Sequence, residues 1–401
     1  MNTLGMVVIC VPKVRFGDVV QEVKHKIDRN NNPYEFYVAG DHMDTADLTI
    51  HRHGCFATDD VGPAFVREFK KGQVLYGSRR TYLKKVAVAD FDGLTANTTF
   101  VIETNNPDIF LQSLLPFVML TDSFTEWSVK RSKGSTNPYV LFSDLADFEF
   151  ELPNIEEQRR VSDVLWASFH LRERYEGLIQ QCDALVQSQF VEMFGDAAID
   201  VCCWPVERMD SVFSITSSSR ILKSEWKSNG NIPFIRVRDM VQLANGEPLT
   251  NEFFVSEEFY NSRPEEEKTR GGDIIVSATS TIGKTYVIKD GERFYFKDAD
   301  VLLFRKKKPI NGTFFTYGLN MPTLWNQIES GLGSTTVAHF LISKACKLLQ
   351  PMPPMELQER FATIVDQTDK SKFASMLQKQ LLQNVACLAT TRDRNLVQYR
   401  S

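Results

Sequence analysis

Apolar residues recur at intervals of three and four through the middle of the chain. Val161, Val164, Ser168, Leu171, Tyr175, Leu178, Cys182 and Leu185 step 3, 4, 3, 4, 3, 4, 3, a heptad seam with weak points at Ser168 and Cys182. Pro153 precedes the stretch, Glu156 and Glu157 fall in its first turn, and Gly195 follows it. Proline and acids suit a helix start, and glycine suits a helix end. The pattern predicts one helix from about Ile155 to Phe194, about 60 Å long at 1.5 Å per residue. A second, less regular stretch starts at Pro354 and uses Phe361, Ile364, Val365, Phe373, Met376, Leu377, Leu381, Val385 and Leu388. Ahead of each helix the pattern changes to short strand-like runs such as Val74–Tyr76, Phe100–Ile102, Asp273–Val276 and Val301–Phe304. Gly, Asn, Asp and Pro turns separate them, with some helix mixed in around 107–120.

The two halves repeat. Lys71-Gly72-Gln73-Val74-Leu75 matches Gly271-Gly272-Asp273-Ile274-Ile275, and Gly134-Ser135-Thr136 matches Gly333-Ser334-Thr335 one residue out of step. Leu152-Pro153 and the following Asn-Ile-Glu-Glu-Gln-Arg-Arg-Val161 match Met352-Pro353 and the run ending at Phe361. Three matches in order, at an offset near 200, argue for two copies of one unit. The expected divisions are a domain over 1–152, a long helix over 153–196, a second domain over 197–352 and a second long helix over 353–401. A lone helix of this length exposes its apolar stripe, and the other helix is the economical partner. The expected fold is therefore α+β: two similar mixed α/β domains joined by two long antiparallel helices, a coiled coil with pseudo-two-fold symmetry inside one chain. The expected helix–helix seam is Val161, Val164, Leu171, Tyr175, Leu178 and Leu185 against Phe361, Ile364, Val365, Phe373, Met376, Leu381 and Val385.

The formal net charge of −5 and ordinary composition do not by themselves point to a polyanion-binding protein. Local basic runs matter more than net charge. Arg67 to Lys85 holds seven Lys/Arg against one acid, and Arg305-Lys306-Lys307-Lys308 is a second cluster. The ordinary reading of either is solvated surface charge. The seven cysteines are scattered and contain no Cys-x-x-Cys, which suits a reducing cytoplasm. No apolar run is long enough to cross a bilayer and no signal peptide is visible, so the expectation is a cytoplasmic protein without membrane contact.

Several short motifs resemble catalytic or ligand sites without completing them. Ala278 to Thr285, with Gly283-Lys284, fits a relaxed phosphate-loop pattern, but strand-like Tyr286-Val287-Ile288 follows where a helix is required. His51-Arg52-His53-Gly54-Cys55 offers three metal-ligand types, and strand alternation would put both histidines on one face. No second ligand pair follows at finger-like spacing, so no metal is expected. Asn32-Pro33-Tyr34 and Asn137-Pro138-Tyr139 lack the second proline of the adenine-methyltransferase motif and read as turns. No catalytic residue and no cofactor is expected.

The phrase from Glu151 to Val161, running on to Gln187–Gly195, resembles the central region of type I restriction-modification specificity (S) subunits, the HsdS family. Val74 to Val86, then Asp92-Gly93-Leu94, and Gly272 to Lys284 are similar to parts of that family's target-recognition domains. The resemblance covers nearly the whole chain. It implies two target-recognition domains, each reading one half of a split, asymmetric double-stranded DNA target, with the helices as a ruler for the gap. It further implies docking of two adenine-methylating M subunits and recruitment of translocating restriction (R) subunits, with no chemistry in this chain. On that reading the candidate DNA contacts are Lys70, Lys71, Arg79, Arg80, Lys84 and Lys85 in the first domain and Arg236, Arg238, Lys284 and Lys297 in the second. Arg matches guanine's major-groove edge, whereas Lys mostly meets phosphate. Tyr82 and Tyr286 could stack or simply pack. A coiled-coil scaffold with paired protein-binding domains, or an unrecognised DNA methyltransferase or P-loop ATPase, are the competing classes.

Overall fold

The structure, a computed structural model, describes residues 11–28, 31–195, 204–247, 249–250, 252–331 and 339–395. The chain forms two compact units, one of Met1–Arg174 with Gln378–Ser401, the other of Tyr175–Leu377. The division falls inside the first long helix.

In unit 1 the elements are β1 (Lys13–Arg15), α1 (Phe16–Val19), β2 (Val20–Val23), β3 (Phe36–Val38), β4 (Gly54–Cys55), β5 (Phe65–Phe69), β6 (Val74–Gly77), β7 (Val86–Val88), β8 (Gly93–Ala96) and β9 (Thr99–Thr104). Then come α2 (Leu115–Leu120), α3 (Asp122–Arg131), α4 (Phe142–Ala146), β10 (Glu149–Glu151) and the start of α5 (Ile155–Phe194). An antiparallel sheet runs β2-β9-β6-β7; a second, β4-β3-β8-β5, contains one parallel pair, β3 with β8.

Unit 2 follows a related order, with two helices (α7 and α8) that unit 1 lacks and one strand fewer among the described residues: β11 (Val206–Arg208), α6 (Met209–Val212), β12 (Phe213–Thr216), β13 (Ile232–Ile235), α7 (Val237–Ala244), β14 (Phe254–Val255), α8 (Glu257–Asn261), β15 (Ile274–Ser277), β16 (Thr285–Val287), β17 (Tyr295–Phe296) and β18 (Val301–Lys306). It continues through α9 (Gly312–Leu319), α10 (Pro322–Gly331), α11 (Ile342–Ala345), β19 (Leu349–Pro351) and the start of α12 (Met355–Asn395), which from Gln378 on belongs to unit 1. Its sheets run β12-β18-β15-β16 and β14-β13-β17, again with one parallel pair, β13 with β17.

Period-two alternation explains why the central strands read as unbroken apolar runs. Val74 and Tyr76 of β6 face the helices, where Phe16, Phe110 and Phe124 wait, while Leu75 faces the second sheet beside Val38 and Phe69. In β15, two hundred positions on, Ile274 and Val276 pack with Phe304 and Phe315, and Ile275 packs with Ile235 and Phe296 on the other side. Each strand is buried on both faces, the condition for a continuous hydrophobic run. The backbone repeats at the same offset: Gly72 and Gly272 have φ of 89° and 82°, and Arg80 and Ser280 have φ of 51° and 58°. The left-handed turn before each central strand favours glycine, which the sequence supplies twice.

The long helices start alike. Buried Gln158 accepts from the backbone N–H of Leu111 at 3.0 Å and donates to the Pro153 carbonyl at 2.8 Å; buried Gln358 accepts from Asn311 N–H at 2.9 Å and donates to the Pro353 carbonyl at 2.8 Å. Asn154 caps α5 by accepting from the N–H of Glu157 at 3.0 Å. Gly195, at φ 85°, closes the other end with its N–H on the Val191 carbonyl at 2.8 Å.

The inner face of the helices differs from the heptad expectation. Val164, Leu171, Leu178 and Leu185 are exposed, as are Phe373 and Met376. In unit 1 the buried positions of α5 are Gln158, Ser162, Leu165 and Phe169, of which Leu165 and Phe169 join the core of the mixed domain. In unit 2 they are Val186, Phe190 and Phe194. The apolar ones among them face the domain cores and lie off the predicted seam positions. Val161 and Tyr175 are half-buried, and Leu381 and Val385 lie outside the residues whose side chains are described. Within unit 2 the end of α5 does meet the beginning of α12, and the two run antiparallel there. Phe361 stacks edge-on with Phe190 and Phe194 at 5.3 and 5.6 Å, and Lys372 pairs with Asp183 at 2.7 Å. Phe361 and Val365 are buried and Ile364 half-buried. Among the described residues no helix is long and apolar enough to cross a membrane.

Candidate nucleic-acid interface

The β6–β7 connection carries four of the six candidate cations of unit 1, and its backbone decides which face outward. Arg80 and Lys84, at φ 51° and 47°, bracket a short helical turn, Thr81–Leu83, and the Thr81 side chain is buried. Two lysines are drawn inward. Lys84 donates to the Asp122 carboxylate at 2.8 Å and to the Leu120 carbonyl at 3.3 Å, at the junction of α2 and α3. Lys85 donates to the Gly40 carbonyl at 2.5 Å. Arg79 and Arg80 are exposed, and neither side chain has an ion pair or hydrogen bond among the described residues. A second loop is laced to this one through main-chain bonds: Arg80 N–H to the Pro138 carbonyl at 2.7 Å, Val140 N–H to the Ser78 carbonyl at 2.9 Å, and Lys133 and Tyr139 to each other at 2.7 and 2.9 Å. That brings Lys133 and the exposed rings of Tyr82 and Tyr139 to the surface holding the two arginines. Arg131, stacked on Trp127 at 4.4 Å, and Lys130 end the neighbouring α3. The sequence reading missed Lys133 and Tyr139, although the run Lys130-Arg131-Ser132-Lys133 before a turn glycine was a usable signal.

Lys70 and Lys71 lie at the turn into β6. Lys70 lies against Glu68 at 3.1 Å and Asp92 at 3.2 Å and over the Tyr34 ring at 4.8 Å. The Tyr34 hydroxyl and these carboxylates hold its ammonium charged well above the usual lysine range. Lys71 is exposed, with no side-chain partner among the described residues.

In unit 2 the equivalent hairpin joins β15 to β16. Thr285–Val287 is a strand paired with Ile274–Val276, so no helix follows Gly283-Lys284 to make a phosphate loop. Ser277 Oγ accepts from Lys284 N–H at 2.9 Å and donates to the Thr281 carbonyl, while the Lys284 side chain is exposed and without a partner among the described residues. Residues 333–335, matched in sequence to 134–136, lie outside the described residues.

The other candidates are engaged internally. Arg236 caps α7, bonded to Asp239 at 3.0 Å and Glu252 at 3.0 Å; Arg238 pairs with Glu252 at 2.8 Å; Lys297 pairs with Asp298 at 3.0 Å. Tyr286 donates to Glu292 at 2.8 Å, which with burial raises its hydroxyl pKa. Three members of the Arg305–Lys308 cluster are likewise committed, and Lys306 is exposed without a side-chain hydrogen bond or ion pair among the described residues. Arg305 grips Asp273 at 2.7 Å and the Lys268 carbonyl at 2.6 Å, Lys307 reaches the Asp210 carbonyl at 2.9 Å, and Lys308 pairs with Glu207. Arg305→Ala should therefore destabilise unit 2 by about 2–3 kcal/mol, at the lower edge of a broken buried pair because Arg305 keeps some solvent. Thermal unfolding checks this, and DNA affinity at a temperature where the variant is folded should not move.

Arg220, exposed and absent from the sequence-based candidates, follows a loop fixed by a buried carboxylate. Glu267 accepts from the Ser219 N–H at 3.0 Å, from the Ser219 hydroxyl at 2.5 Å and from the Tyr295 hydroxyl. Burial pushes this carboxyl up, but the three donors outweigh it and hold it below the ordinary value. A depressed folded-state pKa gives stability that is present above the unfolded pKa, about 4.3, and lost as pH falls through the folded value. The melting temperature should fall below about pH 4.5, and Glu267→Gln, which does not ionise, should flatten that acid limb.

Comparisons with known proteins bear on this arrangement. Residues 203–384 match the family Methylase_S, described as the type I restriction modification DNA specificity domain. A putative type I restriction enzyme specificity subunit of Haemophilus influenzae is 28% identical over 161 residues, 40% of this chain and 39% of that protein. The type I restriction enzyme EcoDI specificity subunit of Escherichia coli is 24% identical over 212 residues, 52% of this chain and 45% of that one. The matched region thus spans less than half the length of these curated relatives. Among solved structures, the S subunit of a type I restriction-modification system from M. genitalium aligns with a TM-score of 0.59 at 14% identity over 97% of each chain. A chain from a structure describing complex assembly and conformational transition of the type I system aligns with a TM-score of 0.52 at 22% identity, over 95% of this chain and 98% of that one. The fold is like that of the M. genitalium S subunit over nearly the whole chain, and residues 203–384 are similar to the type I DNA specificity domain. In these respects the chain is similar to type I restriction-modification specificity subunits.

Proposed function

We propose that the chain is the non-catalytic DNA-specificity subunit of a type I restriction-modification complex, and that each unit reads one half of a split, asymmetric double-stranded DNA target. One observation carries this reading: the same strand–turn–strand hairpin occurs twice, two hundred positions apart, and the two copies present different unpaired cations. Arg79 and Arg80 stand on one and Lys284 on the other. A shared scaffold with unlike tips is what reading two unlike half-sites requires. The long helices are proposed as the spacer that fixes the gap and as the docking elements for two methyltransferase subunits, with restriction subunits joining that assembly. Exposed Val164 and Leu171 on α5 in unit 1, and exposed Leu178 and Leu185 on α5 in unit 2, supply apolar surface for such contacts.

The test is to express the chain with its methyltransferase subunit and map methylated adenines in the DNA. A single bipartite motif with a fixed gap is expected, together with DNA binding that weakens steeply with salt. Methylation without a bipartite motif, or binding insensitive to salt, contradicts the reading.

A further inference from the structure

The segment between β3 and β4 meets the middle of α5, and two of its side chains converge there with one more than a hundred positions away in sequence. Asp47, His51 and Glu173 each bring one ligand atom, and these atoms lie within 4.8 Å of one another. Asp47 Oδ2 and His51 Nε2 are 3.2 Å apart. Two ligands on a tetrahedral ion with bonds of about 2.1 Å are about 3.4 Å apart, so this edge already has the required length. The carboxylates are held rather than loose, and one residue holds both. Thr49 N–H donates to Asp47 Oδ1 at 3.0 Å, leaving Oδ2 turned to His51, while the Thr49 hydroxyl donates to Glu173 Oε1. His170, one turn earlier on α5, stands 3.2 Å from Glu173 Oε2. Such outer partners are what orient metal ligands. Asp47 and Glu173 are half-buried and His51 is exposed, so the open side faces solvent. The nearest arginine in sequence, Arg52, is taken by Asp44 at 2.6 Å, which leaves an imidazole between two carboxylates.

We propose that Asp47, His51 and Glu173 bind one divalent transition-metal ion of the zinc class, with solvent completing the shell. An imidazole among three donors favours such an ion over calcium or magnesium, and two carboxylates neutralise its charge. The ion ties the 44–51 segment to α5. That segment is joined to the Arg79–Lys85 loop, where Ala46 N–H donates to the Lys84 carbonyl at 3.0 Å, and to β7 after it, where Val88 N–H donates to the Leu48 carbonyl at 2.8 Å. The bound metal thus stiffens the support of the exposed arginines. The site stands independently of the DNA-reading proposal. Sequence spacing concealed it because the third ligand is 122 positions from His51. His53, the obvious second histidine, instead packs on Phe36 and Phe91 at ring distances of 4.3 and 5.4 Å.

The full chain, stripped with a chelator, is titrated with Co2+ as a spectroscopic probe and then with Zn2+ as competitor. One equivalent of Co2+ should develop visible ligand-field bands that Zn2+ abolishes. His51→Ala and Asp47→Asn should remove the tight equivalent. Thr49→Val should weaken it by about 10–100-fold, and His53→Ala should leave it intact. Zinc should also raise the melting temperature of the parent chain but not of Asp47→Asn, provided that variant melts with the parent when both are metal-free. If the stripped chain takes up no equivalent, or if uptake survives His51→Ala and Asp47→Asn unchanged, the pair is an ordinary surface contact and the proposal is overturned.

Discussion

Replacing Arg79 and Arg80 together by alanine is expected to cut affinity for one half of the bipartite target while leaving the other half untouched. Each lost base contact costs about 1–3 kcal/mol, or roughly 5- to 150-fold in binding. The fold should not respond, because neither guanidinium has a partner to lose among the described residues and both are exposed. This separates the pair from Lys84, whose ammonium bridges the Asp122 carboxylate and the Leu120 carbonyl. Lys84→Met should lower the melting temperature and affect DNA only through that loss.

The measurement is competition binding by the complex assembled with its methyltransferase partner, on duplexes altered in one half-site at a time. For the double arginine variant, the penalty for altering the half read by unit 1 should shrink towards zero, while the penalty for the other half persists. Lys284→Ala should act on the opposite half. If the arginines meet only phosphate, affinity falls evenly on all sequences and the salt slope drops by about 0.9 for each lost contact. Equal damage to both half-sites would overturn the assignment of one unit to one half.

The repeat and the helix ends were legible because they follow from local rules. Val74–Tyr76 and Ile274–Val276 read as strands because each is buried on both faces, so every position had to be apolar. Gln158 and Gln358 matched in sequence because each satisfies the same exposed ends of backbone at a helix start. Gly195 marked its helix end through its left-handed backbone. Which cations were free was not legible. Arg305 and Arg80 look alike in sequence, but Asp273, 32 positions before Arg305, consumes one, and nothing described consumes the other. The inner face of α5 was misjudged for a related reason. The heptad count assumed a helix as partner, whereas Leu165 and Phe169 answer to the core of unit 1 and Val186, Phe190 and Phe194 to that of unit 2. Neither core is a sequence-local object.

Phe361→Ala should be among the most damaging single truncations in unit 2. Phe361 is fully buried, and its ring meets Phe190, Phe194 and Tyr317 at 5.3, 5.6 and 5.5 Å, joining the start of α12 to the end of α5 and to α9. Truncation removes the transfer free energy of the ring and leaves a cavity between two helices that α9 and the sheet hold in place, so collapse is limited. The expected cost is about 3–5 kcal/mol, a fall on the order of 10 °C in the melting of a unit this size. Phe373, two-thirds exposed on the same helix, is the internal control; its replacement by alanine should stay within about 0.5 kcal/mol. The heptad pattern treats these two phenylalanines as equivalents, and the structure does not. Chemical denaturation of both variants distinguishes the two descriptions: a cost at least about sixfold larger for Phe361→Ala is expected if α12 is seated through Phe361, and comparable costs would mean that the aromatic junction does not exist.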